Sequence, residues 1–141
     1  MEQRTQRFVS IYNEINKDSL EKLALIYTDD VYFKDPMHEL SGLKALTRYF
    51  ETLYENVSDI EFQVNKSFDK GDVSFIYWQM SFVHPRLNKG KPTLVDGHSR
   101  LSFVGDKVSH HRDYLDTAQM LYRQVPVLGW FIKLLDKRMS A

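Results

Sequence analysis

The spacing of apolar residues changes once along the chain. Before residue 57 they recur every three or four positions, and from residue 58 they alternate. Phe8, Ile11, Tyr12 and Ile15 predict a first helix over about residues 3–16. Asp18 with Glu21 has the spacing of a capping box, and predicts a second helix running to about Tyr27 and the paired acids Asp29 and Asp30. A short strand over residues 31–34 follows. Gly42 then breaks the chain, and Leu43, Leu46, Tyr49, Phe50, Leu53 and Tyr54 form the stripe of a third helix. In the second half, Ile60, Phe62, Val64, Lys66 and Phe68 share one parity. So do Ile76, Trp78, Met80, Phe82 and His84 on the next strand, and Val95, Gly97, Ser99, Leu101 and Phe103 on the one after. Lys70-Gly71-Asp72 and Gly105-Asp106 are hairpin signals, residues 85–92 are a loop, and residues 107–114 close the sheet.

Helices first and strands afterwards make an α+β layout. The expectation is a curved antiparallel sheet wrapped around N-terminal helices as a cone-shaped half-barrel. Residues 1–125 are read as that domain. Residues 126–141 are read as an extra amphipathic C-terminal helix, packed on the domain or on a dimer mate. Contact of that helix with a membrane surface is the minor alternative.

Composition narrows the classes. A chain of 141 residues is long enough for one domain with a substantial core. Nineteen basic and nineteen acidic residues leave no net charge, which argues against nucleic acid as a main partner. With no cysteine, thiolate catalysis and disulfides are excluded; a reducing, cytoplasmic location fits, and no secretory signal is visible. The five histidines (His38, His84, His98, His110 and His111) lack metal-ligand spacing, so no metal site is expected, nor any other cofactor. The longest apolar run, residues 125–132, is too short to span a bilayer.

Candidate chemistry begins at Asp35-Pro36. A residue before proline is pushed into extended conformation, so Asp35 is held at a strand end. It shares parity with Val31 and Phe33, and if these face an interior it does too. A carboxylate among apolar neighbours can serve as a base near neutral pH. The plainer reading is a turn. On the closing strand, His111 and Asp113 share one parity, and His110, Arg112 and Tyr114 the other. A β-bulge would exchange them, so either set can face a cavity. Trp78 with Met80 and Phe82 either lines a cavity or fills the core.

Asp29-Asp30, Asp35-Pro36, Gly42 and Arg112-Asp-Tyr-Leu-Asp116 together resemble the nuclear transport factor 2-like superfamily, and more narrowly its SnoaL-like branch. The resemblance covers about residues 5–125. It implies a pocket for a hydrophobic small molecule and a homodimer paired through the sheets. Its catalytic branches imply different residues. The ketosteroid isomerase pattern puts the base at Asp35 and the oxyanion-stabilising tyrosine at Tyr12, with Ser99 where those enzymes carry a protonated aspartate. The limonene epoxide hydrolase pattern matches Tyr32 and makes Asp116 catalytic, but its Arg and Asp on a middle strand are missing from residues 76–82. The polyketide cyclase pattern points to a closing-strand acid, with Asp113, Asp116 and His111 as candidates. Tyr32, Phe33, Trp78, Met80, Phe82, Ser99 and Tyr114 are the expected ligand contacts. Two functions remain: cofactor-free acid–base chemistry on a hydrophobic carbonyl compound, or a non-catalytic binding or dimerisation module.

Overall fold

The computed structural model describes residues 1–120 together with Leu135, Lys137 and Met139. The expected amphipathic segment at residues 126–141 thus lies, apart from those three positions, outside the described residues.

Three helical elements precede the main sheet. Helix α1 spans Gln3–Glu14, a single helical turn α2 spans Leu23–Ile26, and α3 spans Leu43–Asn56. The strands are β1 (Tyr27–Lys34), β2 (Glu39–Ser41), β3 (Ser58–Lys70), β4 (Val73–Val83), β5 (Thr93–Val104) and β6 (Lys107–Leu115). A short α4, Thr117–Met120, follows. The six strands form one curved, unclosed sheet in the order β2-β1-β6-β5-β4-β3. All neighbours are antiparallel except β1 and β6, which run parallel. Among the described residues no helix is long and apolar enough to cross a membrane.

The core lies between the helices and one face of the sheet. Phe8 from α1, Leu23 and Ile26 from α2, and Leu46 and Phe50 from α3 are buried against Val31, Phe33, Ile76, Trp78, Leu101, Phe103 and Val108. Each large side chain so buried contributes roughly 1.5–3 kcal/mol. The stripe expected for α3 is the stripe that packs. Gly42 starts that helix with φ +93°, a conformation only glycine adopts freely, and its N–H reaches Val31 O at 2.7 Å.

Three local expectations need correction. The second helix is a 3-10 turn over Leu20–Lys22 followed by one α-helical turn. Asp18 does not cap it; Asn16 Oδ1 accepts the Asp18 N–H and Ser19 Oγ accepts the Asn16 N–H, making a local turn instead. The chain becomes extended at Tyr27, because Tyr27 is wholly buried and pairs with Val108 of β6, so Asp29 and Asp30 lie exposed on the strand. On β3 the pairing register shifts between Val64 and Lys66. This turns Phe68, expected to point inward with Phe62, out to solvent at 55% exposure.

Candidate functional site

A bulge decides which face of β6 points inward. The pairing of β5 with β6 shifts between Ser102 and Phe103, and Ser109 is the extra residue. From there His111, Asp113 and Leu115 turn toward the helices, while His110, Arg112 and Tyr114 turn away.

The inward residues join a directed hydrogen-bond chain. Asp113 Oδ1 accepts from Ser99 Oγ at 2.5 Å and from His111 Nε2 at 2.6 Å. Because the carboxylate can only accept, Nε2 carries the imidazole proton, and Nδ1 accepts from the Tyr27 hydroxyl at 2.8 Å. Ser99 donates its only proton to Asp113 and therefore accepts from Trp78 Nε1, at 2.9 Å. Four donors on β1, β4, β5 and β6 are thus aligned toward one carboxylate oxygen. Among the described residues no donor reaches Asp113 Oδ2. Charge-assisted bonds of this kind are about twice as strong as neutral ones, and together they hold Oδ1 and its donors in one geometry.

The chain opens on a small cavity. Phe8, Val9, Tyr12 and Asn13 of α1 form one wall, and Phe62, Val64, Ile76 and Trp78 of β3 and β4 the other; Ser99, His111 and Asp113 form its polar end. Its volume, counted for the centre of a water molecule, is ≈ 20 Å³. About 10–15 Å³ on that measure admits one water, so the space holds a water and no substrate as it stands. A wider open groove of ≈ 560 Å³ adjoins it past edge strand β3, sharing Asn13 and Phe62 with it. The Tyr12 ring stacks on Phe8 at 5.6 Å and meets Phe62 edge-on at 5.2 Å. Its hydroxyl has no hydrogen-bond partner among the described residues. Burial, with Tyr27 and Asp113 nearby, holds the Tyr12 phenol well above its usual pKa, so it stays protonated and is a donor.

Asp35, by contrast, is buried, and in a different setting. It ends β1 and organises the turn into β2. Its Oδ1 accepts the N–H groups of Met37 at 2.8 Å and His38 at 2.7 Å, and its Oδ2 accepts the Tyr49 hydroxyl at 2.9 Å. His38 Nδ1 lies 3.1 Å from Oδ1. Burial and the adjacent Asp35 carboxylate push the Tyr49 phenol far up. Asp35 is not among the cavity-lining residues.

Of the other expected site residues, Trp78 and Ser99 line the cavity. Phe33 lies in the core, 5.0 Å from the His111 ring. Met80 is half-buried against the core, and Phe82 is buried; neither lines the cavity. Asp116 accepts the N–H groups of Ala118 and Gln119 at 2.9 and 3.1 Å, and caps α4. Tyr32 lies against His110, and Tyr114 against His98 and Arg112, on the sheet face turned away from the helices. Among the described residues no group of three His, Asp or Glu side chains could hold a metal ion. The sequence reading missed Tyr27, which its periodicity assigned to a helix end, and Asn13, which carries no motif.

This arrangement in a six-stranded half-barrel defines a class. The chain matches the SnoaL-like domain over residues 6–111 and belongs to that family. No curated protein matches it. Among solved structures it is similar to a candidate SnoaL-like polyketide cyclase from Shewanella putrefaciens, with TM-score 0.72, 19% identity, and 85% of this chain and 94% of that one covered. It is similar to a protein of ketosteroid isomerase-like fold from Catenulispora acidiphila, with TM-score 0.73, 13% identity and coverage of 86% and 92%. It is also similar to an LEH-like epoxide hydrolase of M. tuberculosis, with TM-score 0.69, 12% identity and coverage of 89% and 92%. At these identities the likeness shows the fold.

Proposed function

We propose that this SnoaL-like chain carries out cofactor-free acid–base chemistry on a hydrophobic carbonyl compound, with Asp113 as the proton acceptor and Tyr12 as the donor to the developing oxyanion. The observation that carries this reading is the asymmetry of Asp113. Its Oδ1 is held by Ser99 and His111, while no protein donor meets its Oδ2 among the described residues. The Tyr12 hydroxyl, on the same cavity, is a protonated donor without a partner among the described residues. In the reaction the C–H bond alpha to the carbonyl breaks, its proton passes to Asp113 Oδ2, and the electron pair moves to the carbonyl oxygen, which the Tyr12 hydroxyl meets. Return of that proton from the same carboxyl to a different carbon of a conjugated enolate completes an isomerisation; attack of the enolate carbon on a second carbonyl, whose alkoxide oxygen takes the proton back from Asp113, completes a cyclisation. Positioned proton transfer supplies about 10²–10⁴-fold and an oxyanion donor about 10²–10³-fold. Phe62 and Asn13, shared by cavity and groove, are the side chains that must move to admit a substrate.

The size of the cavity favours a second reading, a non-catalytic module in which the same hydrogen-bond chain only fixes the core. Binding of a planar polycyclic phenol, followed by fluorescence, separates the two. The enzyme reading expects binding by the wild type that weakens at least tenfold in Tyr12→Phe, together with exchange of alpha protons in hydrophobic ketones that Asp113→Asn abolishes. No binding and no exchange by the wild type would leave the module.

A further inference from the structure

The sheet face turned away from the helices carries three cations in one row. Lys34 on β1 pairs with Arg112 on β6, and Arg112 pairs with Arg100 on β5. Paired residues on neighbouring strands stand about 4.8 Å apart and point to the same face, so the three side chains rise side by side. Like charges directly opposed on one face destabilise a sheet. Here two such oppositions follow one another. Two residues along stands a second row, Tyr32, His110 and Ser102, also paired in register. The Tyr32 and His110 rings lie against each other there, with centroids 4.7 Å apart.

Among the described residues one carboxylate meets this row. Glu39, across from Lys34 on edge strand β2, lies 3.7 Å from its Nζ, and with side chains 41% and 60% exposed the pair is weak. Neither arginine has an ion-pair partner among the described residues. The next exposed acids along these strands, Asp30, Asp96 and Asp116, each stand four residues from the row. That is about 13 Å along the sheet, farther than charges act through physiological salt. Arg112 is half-buried; its guanidinium lies over the Tyr114 ring at 4.6 Å, and its Nε is buried without an acceptor. A guanidinium drawn partly out of water without a counter-charge is costly. The Nδ1 of His110, beside it, is buried and unpartnered as well. Three cations against one carboxylate leave two positive charges uncompensated.

We propose that this row binds one dianionic phosphate group, free or as the monoester of a larger molecule, held between Arg100 and Arg112 with Lys34 beside them. The charges match: a dianion compensates both uncompensated positive charges, whereas a carboxylate leaves one. Each guanidinium is a planar fork able to take two phosphate oxygens at once, and two forks one strand spacing apart present donors to all the free oxygens of the group. The Tyr114 ring already holds the Arg112 guanidinium in place, which lowers the ordering cost of binding. The site lies on the opposite face of β6 from Asp113, so it stands or falls apart from the proposed reaction.

The test is an NMR titration of the full isotope-labelled chain with inorganic phosphate at constant ionic strength, with acetate as the monoanion beside it. Phosphate should shift the Nε–H signals of Arg100 and Arg112 along a saturable curve, about tenfold or more tighter than acetate. Arg100→Gln and Arg112→Gln should each weaken phosphate about tenfold or more, Lys34→Gln less, and Lys44→Gln on α3 not at all. Burial, then Arg100, His111 and Arg112, holds the His110 imidazole below its usual pKa. Phosphate beside the two arginines favours the charged ring, so the His110 signals should titrate at higher pH once phosphate is bound. Cosedimentation with phosphatidylcholine vesicles, with and without phosphatidic acid, separates the sources. Capture that needs phosphatidic acid and Arg112 puts the phosphate on a lipid, and phosphate binding without capture puts it on a soluble molecule. No saturable shift, acetate binding as tight as phosphate, or phosphate binding unchanged in both arginine variants overturns the proposal. So does a phosphate curve that moves with protein concentration, because the anion then acts on association between chains.

Discussion

Two inward-facing aspartates, Asp35 buried and Asp113 partly buried, each beside a histidine, divide the chemistry of this fold between them. Asp35 accepts two turn N–H groups and the Tyr49 hydroxyl, so both of its oxygens are occupied. Among the described residues Asp113 is held by side chains on one oxygen alone, and those side chains come from strands fixed in register. Backbone donors make a carboxylate part of the scaffold. Side-chain donors on one oxygen position a carboxylate and leave the other oxygen able to act. His38 is 46% exposed on the side chain, whereas His111 is buried with both nitrogens engaged. The first histidine closes a turn; the second orients an acid.

The sharpest way to break this contrast is a rate comparison. On a ketone that the wild type turns over, Asp113→Asn is expected to lose about 10²–10⁴-fold in kcat, and Asp35→Asn to stay within a few fold. The reverse result would make Asp35 the base and would require its turn to open during the reaction. Stability should show the opposite ranking. Asp35→Ala leaves two N–H groups and a hydroxyl without their acceptor, and is expected to cost about 2–3 kcal/mol in urea denaturation. Asp113→Asn keeps an Oδ1 for Ser99 and His111 and should cost less. Equal losses in both variants would mean that Asp113 is as structural as Asp35.

The contrast shows what could be read from the sequence. Parity placed Ile76, Trp78, Ser99 and Leu101 on the buried face, because the period of two is covalent geometry. The family resemblance rested on short motifs whose backbone role survives here: Asp35-Pro36 still ends a strand, and Gly42 still starts a helix. Two bulges were not legible. Neither the shift after Val64 nor the extra Ser109 has a glycine or other local marker, and each is set by pairing with a distant strand. Ser109 is the costlier omission, since it decides that His111 and Asp113 face the cavity. Tyr27 was illegible for the same reason: its partner His111 lies 84 residues away, across a parallel pairing.

Trp78 ties the Asp113 side of the comparison to one glycine. A Cβ on Gly97 would stand 2.4 Å from Trp78 Cη2 and 2.7 Å from Tyr114 O. The indole lies across the β5 backbone at the one position without a side chain, and there its Nε1 reaches Ser99. Gly97→Ala must push the ring toward the cavity or shift the strand. Overpacking of this kind costs about 1–3 kcal/mol. In a Trp130→Phe background the Trp78 emission should shift and phenol binding should weaken, with binding lost by more than the stability change accounts for. Emission and binding unchanged from the parent would show that Trp78 does not set the geometry of Ser99 and Asp113.

A third carboxylate gives the smallest and most specific test. Asp69, at the end of β3, accepts the Thr5 hydroxyl at 2.9 Å, the Glu2 N–H at 3.1 Å and the Ser74 hydroxyl, and so ties the start of α1 to the β3–β4 hairpin. Burial alone would raise its pKa, but the bonds from Ser74, Glu2 and Thr5 and the nearby N-terminal amine outweigh burial and lower it. A carboxyl whose folded pKa lies below its unfolded value adds stability that is fully present above the unfolded value, near 4, and is lost as pH falls through the folded one. Between about pH 5 and pH 3 the wild type should therefore lose stability more steeply than Asp69→Asn, with the two curves parallel above pH 6. Like Asp35, Asp69 anchors structure, but one of its anchors is main chain and two are hydroxyls, so Thr5→Val should flatten the acid limb only in part. If the Asp69→Asn curve instead follows the wild type down to pH 3, the clamp contributes nothing, and the acid sensitivity of the fold must come from other carboxylates.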